Sequence, residues 1–139
     1  EIADLGFEDA LVDFIHYPAK AARPYVVAAN PELVNRIAGD DMMRGCTIAA
    51  NGFYGPQGRV LRCDLAVKDI NERITDFRYE GQRITNYEME GSAIAGLSLL
   101  MGHKAMTVCC VIAQRKVEAA NTDYKPRIKQ LVQTVLERI

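Results

Sequence analysis

Asn86-Tyr87-Glu88-Met89-Glu90-Gly91-Ser92-Ala93 sets two carboxylates around a methionine, where an extended segment turns into a helix. A carboxylate accepts hydrogen bonds from adjacent hydroxyls, as in a cis-diol, and a thioether offers a soft apolar floor beneath a ring. On an extended backbone Glu88 and Glu90 point to the same side, and the positive end of a helix dipole keeps them ionised. The same residues also suit an acidic first turn that merely caps a helix. Spacing alone leaves both readings open.

A second stretch, Gly52-Phe53-Tyr54-Gly55-Pro56-Gln57-Gly58-Arg59, has three glycines and Pro56, which an ordinary surface loop would also carry. The adjacent Phe53 and Tyr54 argue for a loop that buries its aromatics against something. Together the two stretches resemble the type I nucleoside phosphorylase family, and within it the uridine phosphorylases. The resemblance implies that Phe53, Tyr54, Gln57 and Arg59 read a pyrimidine base, while Glu88, Met89 and Glu90 hold the ribose. Arg59 would stabilise the departing anionic base through a charge-assisted hydrogen bond and Gln57 would pair with its amide edge, which makes these two the catalytic pair. Ile112 and Ala113 would line the base pocket, with Arg115 as a neighbour.

The implied reaction is phosphorolysis of a pyrimidine nucleoside in nucleoside salvage: uridine and phosphate give uracil and ribose 1-phosphate. Inorganic phosphate is the co-substrate, and no cofactor or metal is expected. The purine branch of the family places an aspartate after the strand where this chain reads Gln114-Arg115, a departure that favours pyrimidines. The family also implies a homo-oligomer, a hexamer assembled from dimers. Only the C-terminal half of a family chain is covered, so residues 1–139 are expected to be the C-terminal portion of one incomplete domain. The glycine and arginines that bind phosphate in the family belong to the other half, and this chain alone is expected to be inactive. A purine-type phosphorylase, a hydrolytic nucleosidase of the same superfamily and a non-catalytic nucleoside-binding fragment stand as alternatives.

Positioning these stretches requires an α/β fold, a mixed and mainly parallel sheet covered by helices. The 139 residues, 49% of them hydrophobic, can bury one core. A net charge of −1 without a Lys/Arg run disfavours nucleic-acid and anionic-membrane partners. No apolar run has the length of a membrane span, and a cytoplasmic location is expected. The chain begins at Glu1, as a processed or truncated form would. Cys46, Cys63, Cys109 and Cys110 form no CxxC pair and read as reduced core residues.

Asn30-Pro31-Glu32 announces a helix with Asn30 as N-cap, carrying Leu33, Val34 and Ile37 toward Gly39. Gly45–Ala50 reads as a short buried strand that exits into the aromatic loop. Ile70, Ile74 and Phe77 mark one face of a helix over 68–78, and 83–87 is a strand delivering the Glu-Met-Glu segment. A helix rich in small residues runs from Gly91 toward Gly102. Lys104–Ala113, apolar on both faces, reads as a central strand of a covered sheet. Pro126 opens a last helix whose Ile128, Leu131, Val132, Val135, Leu136 and Ile139 are expected to pack on the sheet. Glu1–Pro24 has no firm assignment, and His16 and His103 read as structural.

Overall fold

The computed structural model describes residues 2–114, 119–120 and 122–139. Among them the fold is α/β, in the order α1 (Leu5–Ile15), α2 (Pro31–Ile37), β1 (Cys46–Ala49), α3 (Ile70–Asp76), β2 (Ile84–Glu88), α4 (Gly91–Leu100), β3 (Ala113–Gln114), β4 (Ala119–Ala120) and α5 (Lys125–Arg138). β1 lies parallel to β2, with Cys46 opposite Ile84, Ala49 opposite Glu88 and a register shift after Cys46. β3 and β4 form a separate antiparallel pair. None of the described helices is long and apolar enough to cross a membrane.

α1 occupies the segment that sequence patterning left unassigned. Its N-terminus is closed by Asp4, whose Oδ1 accepts the Phe7 amide at 2.9 Å. Phe7, Leu11 and Ile15 then fall on one face and pack with Ile74 and Phe77 from α3 and its end, forming the core. His16 terminates the helix in the left-handed region at φ 54°. Glu8 is buried on the same helix, but it is satisfied: it accepts the Val26 amide at 2.9 Å and lies 3.6 Å from the Arg23 guanidinium. With the Asp4 amide bonded to the Val26 carbonyl, this stitches the segment around Val26 onto α1.

The strand expected at 104–113 does not form as such. Residues 104–112 join no ladder, and β3 starts only at Ala113. A strand apolar on both faces becomes central only where neighbours pair with both of its edges. Here β1 and β2 pair with each other, and the backbone of 104–112 is tied instead by a bond such as Asn30 N–H to the Ala105 carbonyl, at 2.8 Å. Val111 and Ile112 are exposed in consequence.

α5 also departs from expectation, packing against α2 rather than covering the β1–β2 sheet. The Arg138 guanidinium reaches both carboxylate oxygens of Asp41 at 2.9 Å and the Ile37 carbonyl at 2.8 Å, while Arg36 donates back to the Arg138 carbonyl. No residue of α5 is fully buried, but Leu131, Thr134 and Val135 are half-buried, and the polar clasp adds to their contacts at the end of the helix. The Arg138 hydrogen bond holds the Asp41 carboxyl below its ordinary pKa of 3.8. A carboxyl depressed on folding stabilises fully above its unfolded pKa and loses that contribution as pH falls through the depressed value. Acidification through that depressed value, below pH 3.8, is therefore expected to loosen the end of α5, and Asp41→Asn to loosen it at neutral pH. Limited proteolysis of the full-length protein would show this as faster cleavage within 125–138, and unchanged cleavage would assign the attachment to apolar contacts instead.

Candidate functional site

The two stretches singled out in the sequence leave the sheet side by side. β1 and β2 are adjacent and parallel, Ala49 faces Glu88, and the Ala50 amide bonds the Glu88 carbonyl at 2.8 Å. The aromatic loop and the Glu-Met-Glu segment therefore emerge together at the C-terminal ends of the strands, where α/β sheets gather their sites.

After β1 the chain closes a tight turn. The Gln57 and Arg59 amides both reach the Tyr54 carbonyl at 3.0 Å, around a one-turn 3-10 helix at Gly55–Gln57. Gly58 ends it at φ 73°. The Arg59 guanidinium lies 3.9 Å above the centre of the Phe53 ring and donates to the Phe53 carbonyl. Tyr54 meets Phe53 edge-on, with centroids 5.2 Å apart. Both aromatics are about half exposed, at 51% and 52%, so what they pack against is each other and Arg59 rather than a core. Gln57 is 3% exposed and turned inward.

After β2 the two carboxylates lie in different surroundings. Glu88 is the capping group: its Oε2 accepts the amides of Glu90 at 2.8 Å and Gly91 at 2.5 Å, closing the N-terminus of α4. Its Oε1 is buried without a hydrogen-bond partner among the described residues. Gly91 makes this close cap possible, since a Cβ there would stand 2.6 Å from Thr107 Oγ1 and 3.0 Å from Glu88 Oε1. Glu90 takes no part in the cap through its side chain and is exposed, as is Met89. Helix capping thus falls to Glu88, and the Glu90 carboxylate is left exposed.

A trough of about 1980 Å³ runs beside these elements, lined among others by Arg59, Asn51, Tyr87, Ser92, Tyr25 and Thr107. A pocket for one small molecule is typically about 300–1,000 Å³, so the trough is wider than one ligand needs. Of the site residues singled out in the sequence, Arg59 lines it, whereas Phe53, Tyr54, Gln57, Glu88, Met89, Glu90, Ile112 and Ala113 are not among its lining residues. Arg115 lies outside the described residues. Tyr25 and Ser92, whose hydroxyls are 3.1 Å apart, were not singled out in the sequence. Cys109 lies near the same strand ends, its thiol pKa pushed up by desolvation and by the Glu88 charge, against hydrogen bonds with Asn86 and Thr47. Such a thiol stays protonated and is a poor nucleophile.

Residues 3–138 match the family described as the phosphorylase superfamily. The chain belongs to this superfamily. Uridine phosphorylase A of Schistosoma mansoni is a phosphorylase relative 41% identical over 73 residues, a stretch that covers 51% of this chain and 24% of the relative. The chain thus spans only a fraction of that relative's length. No solved structure gives a significant match.

Proposed function

We propose that the protein carries out phosphorolysis of a pyrimidine nucleoside, converting uridine and phosphate to uracil and ribose 1-phosphate. The observation that carries this reading is the emergence of the Phe53–Arg59 loop and the Glu88–Glu90 segment from adjacent parallel strands, in a chain of the phosphorylase superfamily. The likeness to a uridine phosphorylase supports the pyrimidine choice.

In the reaction, phosphate oxygen bonds to the anomeric carbon as the glycosidic bond breaks, and its electron pair leaves with the base. Positive charge grows on the ribose and negative charge on the uracil. Arg59 meets the anionic base with a charge-assisted hydrogen bond, and Gln57 pairs with the amide edge once its side chain turns out to the base. Phe53 and Tyr54 offer ring faces, with the guanidinium moving off Phe53 to admit the substrate. Glu90 accepts hydrogen bonds from the ribose diol and Met89 lies under the sugar. Ile112, Ala113 and Arg115 complete the base side when the rest of the protein brings that segment over the trough. Phosphate is held by residues beyond this chain. The exposed Ile94, Leu97, Leu100 and Met101 of α4 and its end support a homo-oligomer that covers them.

The test is an assay of the full-length protein on uridine with and without phosphate, beside inosine and adenosine. Phosphate-dependent uracil release with poor purine cleavage is expected, because a hydrogen-bonding site rejects a base that leaves its buried polar groups unpaired. Comparable purine cleavage would overturn the pyrimidine assignment, and release without phosphate would make the enzyme a hydrolase.

A further inference from the structure

We propose that Asn71 is a positioning residue that locks the Gln57–Arg59 loop onto β2, so that the base-reading and sugar-holding stretches are presented at one fixed spacing. This rests on the nucleoside reading above and assigns a role to a helix that carries no other chemistry. Asn71 sits in the first turn of α3, which Ile74 and Phe77 anchor in the core, so its amide projects from a rigid support.

The two ends of that amide face different stretches. Its Oδ1 accepts the Tyr87 hydroxyl at 2.9 Å, and Tyr87 is the residue immediately before Glu88 on β2. Its Nδ2 packs against the backbone at Gly58, where an added Cβ would stand 2.2 Å from that nitrogen. Gly58, at φ 73°, separates Gln57 from Arg59. A glycine is required there twice over, by the left-handed backbone and by the closeness of Asn71. One side chain from a third element therefore touches both the pivot of the loop and the strand that delivers the carboxylates.

A residue that fixes spacing without touching the reacting atoms acts chiefly on ground-state binding of a ligand that must engage both stretches at once. In the full-length protein, Asn71→Ala is expected to raise KM for uridine roughly five- to tenfold, the worth of one or two modest hydrogen bonds, with kcat changed less than about twofold. Tyr87→Phe, which removes only the hydroxyl and keeps the packing, is expected to move KM in the same direction by less. The double variant is expected to fall short of the product of the two, because both remove the same bond. The thermal midpoint, followed in parallel, separates positioning from general loosening. Wild-type turnover of uridine with an unchanged KM in Tyr87→Phe and in a folded Asn71→Ala would overturn the positioning role alone. If Asn71→Ala does not fold, the Tyr87→Phe result decides. A wild-type protein that neither binds nor turns over a nucleoside would overturn both this role and the reading beneath it.

Discussion

Arg59→Ala in the full-length protein is expected to lower kcat on the order of 10²–10³-fold, with a smaller effect on KM. The reason lies in when the charge exists. In the proposed reaction uracil in bound uridine is neutral, and the guanidinium would gain its full partner only as the glycosidic bond breaks and the base becomes anionic. Before that, Arg59 is occupied within its own loop, over the Phe53 ring and bonded to the Phe53 carbonyl. Moving it to the base exchanges one stabilising contact for another, so ground-state affinity changes little. Arg59→Lys is expected to recover only part of the rate, because an ammonium neither stacks on the ring nor presents the planar donor fork. Steady-state kinetics on uridine would check both variants, and a nearly normal kcat in Arg59→Ala would reduce Arg59 to a loop-stabilising residue.

The second large effect concerns stability. Phe77 is 1% exposed, with ring centroids 5.4 Å from Phe7 and 5.6 Å from Phe14. Truncating such a ring removes its transfer free energy and leaves a cavity, so Phe77→Ala is expected to cost about 3–5 kcal/mol. The core is small, Phe7, Leu11, Ile15, Ile74 and Phe77, and little around it can collapse into the space. Because α3 also carries Asn71, the loss is expected to loosen the loop as well as the core. Denaturant unfolding of the full-length protein would show a lower midpoint at an unchanged slope. A loss under about 1 kcal/mol would mean that the rest of the protein supplies a larger core than these residues.

Local chemistry was legible in the sequence and partner-dependent structure was not. Asn30-Pro31 marked α2 because a cap and a helix-first proline act within one turn, and the Asn30 side chain does accept the Leu33 amide at 3.1 Å. Ile70, Ile74 and Phe77 marked the buried face of α3 for the same local reason. The 104–113 segment misled because an apolar run shows that a strand could be covered on both faces, not whether strands are there to pair with its edges. α1 had no firm assignment although Asp4, Phe7, Leu11 and Ile15 supply a cap and a helical stripe, since Gly6 within its first turn lowers the helix propensity there. Residue types pointed to both stretches, and that Glu88 rather than Glu90 caps α4 needed coordinates. Asn71 had no sequence signal at all: its role comes from meeting Gly58 and Tyr87, which lie on different elements.

The adjacent parallel exits of β1 and β2 also bear on how the protein can vary. Neighbouring strands hold their ends about 4.8 Å apart whatever connects them. The connecting stretch from Val60 to Asp64 is exposed throughout and contributes nothing to the β1–β2 register. Lengthening or shortening it therefore leaves the spacing of the two motifs intact, provided α3 still docks. Residues 60–64 also line the trough, so such a change alters its wall, whereas a single residue added between Ala49 and Phe53, or between Tyr87 and Gly91, would shift one stretch relative to the strand ends that hold both.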